Sequence, residues 1–215
     1  MGILVIGQDD PPTRQLQGAL AADHLLAFPA LAAPGDSWAW GWRDDLERWE
    51  RQAAELGRFD SVVVCCWDAV EVAVQFVDLS PRAWLEHLER RLALWMIAAK
   101  VGVGRCADGG SLVMVVERPA ALDTLGRSAL VGAAEGVLSL SRCMAASEGR
   151  RGVRVNAVAT ELWTVPDELL GPAPALTSFP GRVDAEVAGA VRMLLSDDAV
   201  GVTGSVSTPD GGRAA

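Results

Sequence analysis

Short apolar runs rich in valine alternate with amphipathic stretches along the whole chain, and this alternation narrows what it can fold into. Ile3–Gly7, Ser61–Cys66, Gly110–Val116 and Val153–Val158 are short and almost uniformly apolar. Runs of that kind form parallel strands covered on both faces. His24–Phe28 and Ser205–Thr208 are weaker strand candidates, and Trp38, Trp40 and Trp42 alternate within Ser37–Arg43 as a strand with one aromatic face would. Helical spacing marks Thr13–Ala22, Arg43–Leu56, Pro81–Val103, Arg127–Glu148 and Asp184–Leu195. In the long Pro81–Val103 segment, proline occupies the first turn, and Trp84, Leu85, Leu88, Leu92, Trp95 and Ala99 line up at helical spacing. Pro29–Gly35 reads as a loop and Pro166–Pro180 as an irregular surface excursion. The pattern predicts an α/β fold, a doubly wound parallel sheet with helices on both faces, in a single domain over 1–215.

The chain's 215 residues, 50% of them hydrophobic, suffice for one complete core. A net charge of −9 and a pI near 4.7 argue against nucleic acid and against an anionic membrane surface. Charges interrupt the apolar stretches, so no membrane span is expected, and the start of the chain reads as a strand rather than a secretory signal. Cys65, Cys66, Cys106 and Cys143 show no C-x-x-C spacing, and His24 and His87 are the only histidines. Neither a metal site nor a disulfide framework is expected, Cys65 and Cys66 read as small core residues, and the setting implied is cytoplasmic.

The second half of the chain resembles the short-chain dehydrogenase/reductase family. Gly152-Val-Arg-Val-Asn-Ala-Val-Ala159 is similar to that family's G-[IV]-R-V-N-x-[VI]-x-P-G strand. Val202-Thr-Gly-Ser-Val206 with Asp210-Gly-Gly212 is similar to its T-G-x-x-x-x-V-D-G-G ending. Ala134–Arg142 resembles the segment after the family's catalytic lysine, and Met193–Asp197 its F-L-x-S-D. The resemblance covers roughly residues 60–215. It implies a Rossmann-type domain that assembles through the two long helices, here Pro81–Val103 and Arg127–Glu148.

The same resemblance implies an Asn, a Ser, a Tyr and a Lys acting on a substrate oxygen beside a nicotinamide. Carried across, the serine falls on Glu117, the tyrosine on Leu130, the lysine on Ala134 and the asparagine on Arg91. The family's Asn-Asn-Ala-Gly turn becomes Cys65-Cys66-Trp67-Asp68. This chain contains no tyrosine at all, and its one lysine, Lys100, lies on the long helix away from any such site. Tyr–Lys hydride chemistry is therefore excluded. In the phosphate-binding turn Gly7 remains, but Asp9, Asp10, Pro11, Pro12 and Thr13 follow it. Prolines remove N–H donors, and carboxylates repel a pyrophosphate by about 4 kcal/mol at 4 Å and an effective dielectric near 20. No cofactor is expected, and NAD(P) is not expected in the usual pose.

Two functions are open on these residues. The chain could be a non-catalytic subunit that assembles with an active paralogous reductase, or with itself, through helices 81–103 and 127–148. Alternatively, Glu117 or Asp68 as a base and Arg91 as an oxyanion partner could serve a redox-independent cyclase, dehydratase or isomerase. The blander expectation for Glu117, Arg91 and Asp68 is an ion-pair network filling a vacated pocket. A small-molecule ligand without chemistry is a third option.

Overall fold

The structure is a computed structural model that describes residues 2–28, 38–67, 73–161, 173–179 and 181–213. Six parallel strands form one sheet in the order β2-β1-β3-β4-β5-β6. They are β1 (Ile3–Gln8), β2 (His24–Phe28), β3 (Phe59–Cys65), β4 (Cys106–Glu117), β5 (Arg154–Thr160) and β6 (Val206–Ser207). Among the described residues, five α-helices connect them: α1 (Pro11–Leu20), α2 (Trp38–Ala54), α3 (Pro81–Arg105), α4 (Ser128–Glu148) and α5 (Ala188–Leu195).

The two-residue period of the strands divides the core. Val62 and Val64 of β3 and Leu112, Met114 and Val116 of β4 face one side, with Trp49 of α2, Trp95 of α3 and Val137 of α4. Val63, Val113 and Val115 face the other, with Leu16 of α1 and Val191 of α5. Trp49 stacks on Phe28 at 4.2 Å between ring centres, which anchors α2 over the β2 edge. The doubly wound α/β sheet expected from the strand–helix alternation is thus the fold observed.

Three sequence expectations differ from the structure. Ser37–Arg43 is not a strand: the backbone from Trp38 is already helical and continues into the charged segment as α2. Once Arg43–Ala54 forms a helix, adding a preceding turn costs little, and that cooperativity overrides a five-residue alternation. The segment Asp184–Leu195 begins with a wider π turn at Val183–Val187 before α5. Ser128–Arg151 is long and apolar enough to cross a membrane by length and composition, contrary to the expectation that charges break every such stretch. Half of that span is buried inside the fold, where Ala133, Val137 and Leu138 pack on the sheet, as in a core helix.

Pro29–Gly35 and most of the Pro166–Pro180 excursion lie outside the described residues.

Candidate functional site

Chain direction reverses between β1 and β3, because α1 carries the chain one way to β2 and α2 returns it past β1. In open α/β sheets, ligands bind at such a switch point, outside the carboxyl ends of the strands. Here that crevice is bounded by the Gly7–Asp10 turn and by Cys65-Cys66-Trp67. Gly7 is required there, since a Cβ would come within 2.6 Å of the Cys65 carbonyl oxygen. The head of α1 is closed by its own chain: Asp10 is the N-cap, and its carboxylate accepts the Thr13 N–H at 2.7 Å. Pro11 and Pro12 offer no N–H in the first turn, and Asp9 is held by Arg14 at 2.6 Å. Burial raises the Asp10 carboxyl above its ordinary value, against the lowering effect of the Thr13 N–H. These residues do not fit a pyrophosphate, which needs free backbone donors and no competing carboxylate.

Trp67 fills the next position. Where the family's turn has alanine, the indole is buried and its Nε1–H donates to the Val115 carbonyl at 3.1 Å, bridging the ends of β3 and β4. The sequence showed the loss of the small turn residue but gave no sign of this bridge.

Beyond the end of β4 lie the positions carried over for catalysis. Glu117 closes β4 opposite Thr160 of β5, and Arg91 reaches it from α3 at 3.9 Å. Their side chains are 8% and 6% exposed, so the pair is enclosed rather than presented to solvent. Leu130 and Ala134, at the tyrosine and lysine positions, are both buried in the same wall. The space left among Arg91, Glu117, Cys66, Trp95, Leu130 and Ala134 is about 10 Å³, at most one water. The structure therefore brings Glu117 and Arg91 together. Asp68 lies outside the described residues, and Lys100 pairs with Glu50 of α2 at 2.8 Å, away from the strand ends.

A second buried charge cluster was not foreseen. Arg213, 2% exposed, lies 2.5 Å from Asp123, in the segment between β4 and α4, and 2.5 Å from Glu161, just after β5. Glu161 also accepts the Ala120 N–H at 3.1 Å. In the family strand motif, Thr160 and Glu161 occupy the Pro-Gly positions, so a carboxylate side chain stands where glycine leaves room. The carboxyl edge of β4 and β5 is thus tied to the tail of the chain.

The buried thiols carry no reactive signature. Burial pushes Cys65 and Cys66 far up, and lifts Cys106 to about 11. Native protein is expected to take one equivalent of iodoacetamide at neutral pH, at exposed Cys143, against four after unfolding. A thiol held protonated only in the folded state supports that state until it titrates. For Cys106, stability is therefore expected to fall as pH rises from about 9 to 11, readable by urea unfolding. Among the described residues, no group of three or more His, Cys, Asp or Glu side chains could hold a metal ion.

Fold and site together define a Rossmann-like α/β domain whose turn after β1 carries the Asp10 cap and two prolines, with Trp67 bridging β3 to β4. Residues 43–214 match the family model described as enoyl-(acyl carrier protein) reductase. The chain belongs to the short-chain dehydrogenase/reductase family. It is 30% identical over 175 residues to cis-4-hydroxycyclohexanecarboxylate dehydrogenase of Sinomonas cyclohexanicum, covering 77% of this chain and 70% of that one. In fold it is similar to a short-chain dehydrogenase/reductase from Serratia marcescens, with TM-score 0.71, 19% identity and coverage of 100% and 98%. A metagenomic blue fluorescent protein solved with NADPH matches equally, with TM-score 0.71, 20% identity and coverage of 100% and 98%.

Proposed function

We propose that this chain is a non-catalytic member of its family that assembles with an active paralogous reductase and stabilises it or shapes its substrate entrance. The observation that carries this reading is the replacement of the phenol and the amine by buried Leu130 and Ala134 in a chain without tyrosine. The enclosed Arg91–Glu117 contact, with about 10 Å³ beside it, favours this reading over a general base acting on a substrate. The Asp10 cap and the proline pair support the further proposal that the chain binds neither NAD nor NADP.

The surface proposed for assembly is the outer face of α3 and α4. Gly132 and Gly136 let α4 approach Leu88 and Leu92 of α3, with a Cβ at these positions meeting them at 3.4 and 3.1 Å. Leu85 and Met96 of α3 remain 42% and 48% exposed beside them, as unpartnered apolar side chains. All four cysteines are free thiols, in keeping with the cytoplasmic setting proposed for the complex.

Co-expression with an intact paralogous reductase is expected to give a complex that survives gel filtration and raises the reductase's melting temperature. The chain alone is expected to show no thermal shift with NADH or NADPH. Homo-oligomers that never take up the reductase would sink the assembly reading. A saturable shift with either nucleotide would sink the cofactor reading.

A further inference from the structure

We propose that residues 173–179 form a detachable strap, seated on the 210–213 turn and able to lift from it while the sheet stays folded. The device does not depend on whether the chain pairs with a reductase.

The strap has no regular secondary structure, and none of its residues is buried. One turn closes within it, where the Phe179 N–H donates to the Leu176 carbonyl at 3.0 Å. Among the described residues, a single hydrogen bond ties it to the rest of the chain, from the Leu176 N–H to the Gly211 carbonyl at 2.8 Å. The second attachment is the Phe179 ring. It lies so close on Gly211 that a Cβ there would come within 2.7 Å of the ring's Cγ. Ala175 lies over Gly212, where a Cβ would meet it at 3.2 Å. Both glycines are left-handed, at φ +64° and +80°, a conformation that residues with a side chain rarely adopt. The turn therefore offers bare backbone, on which a flat ring can sit.

The seat itself is clamped. The Asp210 carboxylate accepts the Gly212 N–H at 2.9 Å, and the Asp210 carbonyl accepts the Arg213 N–H at 3.2 Å. Arg213 then joins the turn to Asp123, in the connection after β4, and to Glu161 at the end of β5. A segment held by one hydrogen bond and one ring opens at a lower free energy than strands covered on both faces. The strap is thus the outer tier of two, and it lifts while the Arg213 clamp stays closed with the sheet. Lifting uncovers the Phe179 ring three residues from Leu176, which is exposed already.

The test is amide hydrogen exchange of the full chain, followed by NMR across a urea series. The Leu176 amide is expected to be protected, with a rate that barely responds to low urea, as local opening requires. Amides of Val113 and Val115 in β4 should follow the urea slope of global unfolding. Phe179→Ala should speed exchange at Leu176 by about tenfold or more, since most of the ring's contact is lost. It should leave the Ala120 amide, which is held by Glu161, unchanged. Gly211→Ala, which puts a methyl group where the ring sits, should act in the same way. An unprotected Leu176 amide in the parent, or one with the urea slope of β4, overturns the proposal. So does a Phe179→Ala protein in which Leu176 is unchanged, or in which Ala120 speeds up as much. Should Phe179→Ala fail to fold, Gly211→Ala decides by the same readings.

Discussion

Arg213→Met is expected to lower the unfolding free energy by about 3–5 kcal/mol, the usual cost of removing one partner from a buried charge cluster. The guanidinium sits between Asp123 and Glu161, whose side chains are 4% and 11% exposed. Without it, two enclosed carboxylates from separate connections lose the guanidinium that joins them. The loss should show in urea unfolding as a lower midpoint with an unchanged slope. Adding Asp123→Leu and Glu161→Leu should restore much of it, since matched apolar groups need no counter-charge. A loss below about 1 kcal/mol would mean that the tail is held by packing rather than by charge.

Arg91→Leu is the second large effect expected, again about 3–5 kcal/mol, because Glu117 is left buried in an almost closed space. Arg91→Leu with Glu117→Leu should return to within about 1 kcal/mol of the parent. The coupling is read from a double-mutant cycle by chemical unfolding. The cycle also bears on function. A pair that only fills a vacated pocket can be exchanged for two leucines without affecting assembly with a reductase. A working base cannot be exchanged in this way without losing turnover. Weak coupling combined with a lost activity in Glu117→Gln would reverse the reading given above.

How much of this was legible in the sequence depends on the range of the interaction. The strands were legible because Val62-Val-Val64 and Leu112-Val-Met-Val-Val116 must be covered on both faces, a constraint written into a few consecutive residues. Proline at the start and apolar residues at helical spacing marked α3 in the same local way. The two prolines and the carboxylates after Gly7 were legible as well, since they are consecutive residues. Trp38, Trp40 and Trp42 misled because alternation over five residues is weaker than the helix that follows and extends back through them. The Arg213 cluster gave no local signal at all. Its members are 90 and 52 positions apart along the chain (213 − 123 and 213 − 161), and only folding brings them together. The Trp67 bridge to Val115 escaped for the same reason, although the bulky residue in a turn that favours small ones was a visible anomaly.

The Asp10 cap has a consequence for how this protein responds to metabolism. A helix whose head is completed by a bound metabolite gains stability as that metabolite accumulates and loses it on depletion, by mass action. Here the acceptor for the Thr13 N–H is a side chain of the same polypeptide, present at a fixed effective concentration. The first turn of α1 is thus completed from within the chain, without drawing an acceptor from solution.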